Sequence, residues 1–337
     1  MKRSTIKDVA LAAGVAVSTV SRVINDSGYA SRESRQRVLK AVEELHFQPS
    51  RAARSLATGR TGTVALVLPD ITNPFFPALA RGVEDAASAA GYTVILCNTD
   101  NDASQEAMYA ALLRQQRVDG VVLTACSPNN RGLWSQMTER IPVVLTDRRL
   151  EGAIDETVFV DNVAGAYLAT RQLLELGHRR IGLIGGPLGL STTEDRQRGY
   201  EQALREAGLE PDETLMRNGD FRYASGYARM RELAEQHVTA VFAANDMMAI
   251  GAIRAVEDAG GRVPDHIAVV GFDDILLASM IKPGLTTIAQ PTYQMGVMAV
   301  DRLLERMRTD ATGEPRQVVL EPTLVVRDSC GGKGRGS

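Results

Sequence analysis

From Thr63 onward the chain alternates unbroken apolar runs with helix-period stretches, and few folds accommodate that alternation. "TVALVLP", "YTVILCN", "GVVLTA" and "PVVLTD" carry no polar beat, as strands buried on both faces do not. Helical patterns such as "FPALARGVEDAASAAG" lie between them. The rhythm resumes in "TVFVDN", "RIGLIGG", "AVFAAND" and "IAVVGFDD", and a last strand is read in "RQVVLEPTLVVRDS". The class predicted is α/β, with two doubly wound parallel-sheet units in series.

The first 60 residues differ in kind. They hold 11 Lys+Arg against 5 Asp+Glu, while the remainder holds 27 against 36. A basic head on an acidic body predicts that the head meets a polyanion. Thr5 begins a helix with Asp8 at the capping-box position, and Ile6, Val9, Ala10 and Ala13 fall on one face. Gly14 interrupts, and "VSTVSRVIN" starts a second helix with Val17, Val20, Val23 and Ile24 available for packing. A third starts at Ser31, carries Val38, Leu39, Val42 and Leu45, and ends before Pro49. Two helices across a Gly-bearing turn make a helix-turn-helix. Its second helix would present Val17 to a thymine methyl and Arg22 to guanine O6 and N7, with Ser18 beside them.

The segments "TIKDVALAAGVAVSTVSRVIND" and "RQRVLKAVEELHFQPSRAARSLATGRTGTVALVLPD" resemble the LacI/GalR family of bacterial transcriptional repressors, and the likeness runs from Thr5 to about Asp328. It implies a head at 1–48, a hinge helix and linker at 49–60, and a ligand-binding and dimerisation body at 61–329. The body's lobes would be roughly 61–160 with 291–320, and 161–290 with 321–329; residues 330–337 would form a disordered tail. DNA contacts are implied at Thr5, Val17, Ser18, Thr19, Ser21, Arg22 and Asn25, and in the hinge at Arg51, Ala53, Arg54 and Leu56. "SRAARSLA" is below the ~12–15 residues at which an isolated helix becomes stable, so it is expected to fold when docked. Leu56 matches the family's minor-groove wedge, which partly unstacks a base step. The chain departs from the family at Ala16, where relatives usually carry a Ser cap. That loss is worth roughly 1 kcal/mol.

The body resembles periplasmic sugar-binding proteins, which close two lobes on a ligand at the carboxyl ends of their strands. In the first lobe those positions are Asn73, Phe75, Phe76, Asn101, Asp147 and Arg148. In the second they are Arg196, Phe221, Asn245, Phe272, Asp273 and Gln290. Aromatic faces suit the apolar C–H faces of a sugar ring, and carboxylates, amides and guanidinium forks suit its hydroxyls. "NPFF", the "DR" pair, the Arg three before "GY", "ND", "GFD" and "AQ" are similar to ribose-binding proteins and ribose-responsive repressors. D-ribose, or a close monosaccharide, is therefore the first expectation. Another sugar, a phosphosugar or a purine is the alternative. Some purine-sensing relatives carry an Arg where this chain has Leu190, and the "DR" pair is not expected in them.

Several residues also have plain structural readings. Phe75 or Phe76 could be a helix-start core residue, Asp161 and Asn162 braces at the lobe junction, and Asp246 and Asp274 helix caps. Trp134 reads as packing. Catalysis finds little support. His46, His178, His237 and His266 are scattered, and "GGPLGL" lacks the Lys and Ser/Thr of a phosphate loop. Asp147 and Asp273 could be imagined as a glycosidase pair, but the adjacent arginines are expected to keep both ionised, which leaves no general acid. No enzyme, cofactor or metal is expected. The rival from another class is a secreted sugar receptor, but no apolar signal segment opens the chain and no apolar run approaches ~18–20 residues. The three Cys (Cys97, Cys126, Cys330) are odd in number, as in a reducing compartment. The expectation is a cytoplasmic homodimer on a near-palindromic double-stranded operator.

Overall fold

The computed structural model describes residues 4–24, 28–47, 60–150, 156–308 and 316–332. The chain divides into two compact units between Gly62 and Thr63. The first holds α1 (Ile6–Ala13), α2 (Val17–Ile24) and α3 (Arg32–Glu44). The capping box at Thr5 and Asp8 forms, and Gly14 closes α1 in a left-handed conformation at φ 60°. At the start of α2, Ala16 offers only its carbonyl, which accepts from Thr19 and Val20. Val9, Val20, Val23 and Val38 fill the small core. Val17 and Leu39 stay outside it, so the apolar stripe is narrower than the sequence reading allowed.

The second unit contains two six-stranded sheets. The strands of the first are β1 (Thr63–Leu68), β2 (Thr93–Asn98), β3 (Gly120–Leu123), β4 (Val143–Thr146), β5 (Thr157–Val160) and β11 (Gln317–Leu320). Their order is β11-β5-β4-β3-β1-β2, with every pairing parallel. The strands of the second are β6 (Ile181–Gly185), β7 (Met216–Asn218), β8 (Ala240–Ala243), β9 (Ala268–Asp273), β10 (Thr286–Ala289) and β12 (Thr323–Val325). Their order is β12-β10-β9-β8-β6-β7, and only β12 runs antiparallel. The first lobe carries α4 (Phe75–Ala89), α5 (Ala103–Gln116), α6 (Arg131–Thr138) and α12 (Thr292–Arg308). The second carries α7 (Asn162–Glu175), α8 (Ser191–Glu206), α9 (Tyr223–Ala234), α10 (Asp246–Asp258) and α11 (Leu276–Met280).

The chain passes between the lobes three times: from β5 to α7, from β10 to α12, and from β11 to β12. The last strand of the sequence reading is thus two strands in different sheets, parted at Glu321–Pro322. Pro322 has no N–H to extend a ladder. The tail also differs from expectation at its start. Cys330 is buried in the second lobe's core, and its sulfur accepts from Gly332 N. Residues 333–337 lie outside the described residues.

Helices pack at backbone contact where glycine removes the side chain. A Cβ on Gly226 of α9 would stand 2.1 Å from the carbonyl oxygen of Met248 in α10, and one on Gly82 of α4 would stand 2.2 Å from that of Tyr293 in α12. Neither neighbour is a flexible side-chain end, so relief requires the helices to part. Gly226→Ala is expected to destabilise the body by roughly 1–3 kcal/mol, the usual scale of overpacking. Thermal unfolding followed by circular dichroism measures it, and an unchanged melting temperature would contradict the close contact.

Candidate functional site

The carboxyl ends of strands from both lobes face one cavity of about 280 Å³, counted with the solvent at its mouth. The first lobe contributes Asn73, Phe75 and Phe76 from the start of α4, and Asp147 and Arg148 just after β4. The second contributes Thr192 and Arg196 from α8, Phe221 after β7, Asn245 after β8, and Asp273 at the end of β9. Nine of the twelve residues expected from the sequence therefore meet in one place. Phe75 and Phe76 do so while also packing in the first lobe's core, with their rings edge to face at 5.1 Å.

Three do not line it. Asn101 lies exposed beyond the edge strand β2, where its backbone N–H donates to Pro69 O at 2.7 Å. Phe272 precedes Asp273 on β9, so strand alternation sends it to the opposite face. There its ring lies 3.8 Å beneath the Arg196 guanidinium. Gln290 stands behind Asp273 and donates from Nε2 to its Oδ1 at 2.7 Å. Thr192 is the lining residue that the sequence reading missed. The only signal for it was its place in the first turn of a helix after the Gly-rich "GGPLGL" loop.

The charged groups are buried and held apart. Asp147, Arg148, Arg196 and Asp273 are each at most 7% exposed. Arg148 donates from Nη1 to Ala125 O at 2.9 Å, while its Nε stays 3.7 Å from the Asp147 carboxylate and has no hydrogen-bond partner. Arg196 donates from Nε to Asn162 Oδ1 at 2.8 Å and from Nη1 to Ala244 O. Its Nη1 remains 3.8 Å from Asp273 Oδ1. Charge-assisted hydrogen bonds close to about 2.7–2.9 Å, so neither acid–base pair is joined directly. Gln290 Oε1 is also without a partner. Buried polar atoms left unpaired cost roughly 1–3 kcal/mol each, and for Arg148, which lines the cavity, a ligand hydroxyl would offset that cost. Asp147, Phe221 and Asp273 have φ of 62°, 66° and 115°, a clustering of backbone strain typical of ligand sites.

Burial raises the Asp147 carboxyl above the ordinary carboxylate range, against the pull of Arg148 and Arg196. Burial likewise pushes Asp273 up to about 7, opposed by Arg196 and Gln290 and assisted by Asp147. The adjacent arginines therefore do not hold these carboxyls at ordinary acidity, because desolvation outweighs two contacts of 3.7 and 3.8 Å.

The surrounding residues fix this geometry. Asn245 accepts from Met248 N to cap α10 and donates from Nδ2 to Phe221 O at 2.9 Å, so its amide is engaged within the protein. Asp161 caps α7, and Asn162 orients Arg196. Asp246 is not a cap; it accepts from Ile275 N and Thr287 Oγ1 behind the cleft. Asp274 pairs with Arg327 at 2.7 Å. Trp134 is fully buried and donates from Nε1 to Glu106 Oε1 at 2.8 Å. Among the described residues there is no cluster of His, Cys, Asp and Glu that could hold a metal ion.

In the N-terminal unit, Val17, Ser18 and Arg22 form the exposed side of α2, with Thr19 and Ser21 half-buried beside them. Thr5 is exposed, and its hydroxyl donates to Asp8 at 2.8 Å. Asn25, Arg51, Ala53, Arg54 and Leu56 lie outside the described residues.

A helix-turn-helix head followed in the chain by a two-lobed, cleft-bearing α/β body defines a transcriptional regulator under small-molecule control. Comparison with known proteins places it further. Residues 5–50 match the bacterial regulatory proteins of the lacI family, and residues 170–330 match a periplasmic binding protein-like domain. The chain is 42% identical over 332 residues to the ribose operon repressor of Halalkalibacterium halodurans, covering 98% of both. It is 40% identical over 335 residues to the transcriptional repressor PurR of Edwardsiella ictaluri, covering 97% of this chain and 96% of that one. A crystal structure of the lac repressor dimer bound to operator and the anti-inducer ONPF superposes with a TM-score of 0.88 at 29% identity, over 98% of this chain and 99% of that one. This chain belongs to the lacI family of DNA-binding transcriptional regulators, and the relatives named here are repressors rather than enzymes.

The raised Asp273 carboxyl fixes a sign for pH. Its folded value lies above the unfolded one of 3.8, so the stability it confers is present at low pH and is lost as pH rises through about 7. Asp273→Asn keeps an acceptor for Gln290 but does not titrate. The melting temperature of this variant, relative to the parent, is expected to rise between pH 5 and pH 8 in ligand-free protein. A pH-independent difference would mean that the acid is ionised throughout that range.

Proposed function

We propose that this chain is a homodimeric, cytoplasmic repressor without catalytic activity, whose operator affinity is lowered by D-ribose bound between the two lobes. One observation carries the ligand reading. Each lobe supplies one carboxylate and one guanidinium to the same buried cavity, and each pair stops short of hydrogen-bonding distance. A neutral polyol fills such gaps: vicinal hydroxyls donate to the carboxylates and accept from the guanidinium forks. Phe75, Phe76 and Phe221 cover its C–H faces. The name of the ribose operon repressor agrees with this chemistry. The PurR relative keeps a purine as the competing ligand, but Leu190, at the head of α8, brings no charged or polar side chain for a heterocycle.

The dimer reading rests on the lac repressor dimer and on unpartnered apolar surface. Ile95 and Leu96 on edge strand β2, and Leu276 and Met280 on α11, are all more than 40% exposed. Exposed apolar side chains such as these are what a second copy of the chain would cover.

Calorimetric titration with D-ribose is expected to give saturable binding of one molecule per subunit. Arg196→Ala should weaken it by roughly 10–100-fold, the scale of lost hydrogen bonds to a charged group. No heat with ribose at two temperatures, but heat with hypoxanthine, would replace the sugar with a purine.

Leu56→Ala is expected to weaken operator binding while leaving the ribose isotherm unchanged, because its wedge role belongs to the DNA complex. Fluorescence anisotropy with a labelled operator measures this; equal operator affinity for variant and parent removes the wedge.

A further inference from the structure

Among the described residues, two ion pairs join the lobes outside the ligand-lining set. The inner one joins a half-buried arginine to a buried aspartate. Arg149, after β4, donates from Nη2 to both Asp195 oxygens on α8 at 2.9 and 2.8 Å, and its backbone N–H donates to Ser191 Oγ at 2.9 Å. The outer one joins Asp70, after β1, to Arg222, after β7, with Nη2 and Nε at 3.2 and 3.4 Å from Asp70 Oδ2.

The sheet orders place the outer pair. The chain crossings gather at β11 and β5 in one sheet and at β12 and β10 in the other. β1 and β7 lie toward the opposite ends of those orders, with β7 at the very edge. The Asp70–Arg222 pair therefore spans the lip, where opening about the crossings separates the lobes most.

Arg222 directly follows Phe221, which lines the cleft. The Phe221 ring lies against the backbone of Gly186, where a Cβ would come within 2.2 Å of it. The Phe221 carbonyl is held by Asn245 within its own lobe. Arg222 ties the same loop to the other lobe. Asp70 is prepared for this contact: its Oδ1 accepts from Thr72 N and Oγ1 at 3.0 and 2.5 Å, which leaves Oδ2 turned to the guanidinium.

We propose that Asp70 and Arg222 are positioning residues of the effector site: their ion pair across the lip holds Phe221 over the ligand and slows ligand release. The retention half rests on the sugar-binding reading above; the positioning half does not. The Arg222 side chain is 58% exposed and that of Asp70 is 9% exposed, so the pair is screened and its effect is modest and salt-dependent.

The test uses Arg222→Gln, Asp70→Asn, their double variant and Arg222→Lys in the full chain. Asp70→Asn keeps the Thr72 turn and removes only the charge. Amide hydrogen exchange over residues 217–226 is measured on ligand-free protein, and release of labelled D-ribose is measured by chase. Both single variants are expected to exchange and release about two- to fivefold faster, the range of exposed pairs. The double variant should be no faster than either single one, the signature of one shared contact. Arg222→Lys should stay near the parent. High salt should bring the parent toward the variants. Parent-like exchange in Arg222→Gln, or additive single effects, would overturn the positioning role. Faster exchange with unchanged release would overturn the retention role. A parent that binds no ribose would refute the sugar reading, while the exchange result would still decide the ion pair.

Discussion

The body depends on how Arg196 keeps a full charge out of water. Its guanidinium is 4% exposed and lies over the Phe272 ring, with Asn162 and the Ala244 carbonyl taking its N–H groups. These partners come from the start of α7, the end of β8 and the face of β9, so one side chain indexes three elements of the second lobe. A buried charge needs such partners, and they leave one edge of the guanidinium turned toward Asp273. The first lobe repeats the scheme with Arg148 on the Ala125 carbonyl, beside Asp147. A cleft built in this way holds its charges on protein partners and leaves gaps that hydroxyls can bridge.

The same arrangement separates selectivity from closure. Groups that face the cavity carry charge and recognise a ligand. Groups at its margin, Arg149 with Asp195 and Arg222 with Asp70, carry charge across the lobes without lining it. A ligand that fits the first set meets a cleft whose margin the second already joins. Sugar and operator are then linked through one coupling free energy.

Much of this was legible in the sequence because strands end where ligands sit. The apolar runs located the strands, and the polar residues just beyond them, Asp147, Arg148, Asn245 and Asp273, reach the cavity. Phe272 was misplaced although strand alternation rules out adjacent residues sharing a face. Asn101 followed the same positional logic as Asn73, but β2 is an edge strand and the residue stays exposed beyond it. Thr192 is an ordinary helix-start residue with nothing in its type to mark it. Asp70 and Arg222 are 152 residues apart and share no motif, so only the folded chain brings them together. The division of the last segment into β11 and β12 had a visible cause, Pro322, but the sheets that receive the two halves are set by pairing partners far back in the chain.

The three crossings bear on how the protein is made. The core of the first lobe includes Met295, Ala299, Val300 and Leu303 of α12, and its sheet ends in β11, which finishes at Leu320. These pieces leave the ribosome after the whole contiguous stretch of the second lobe. Until then the growing chain exposes the apolar face of α4 around Gly82 and an unpaired edge on β5, surfaces that favour aggregation. The lobe encoded first thus waits for segments made after most of the second, and β12 and Cys330 then finish the second lobe in turn.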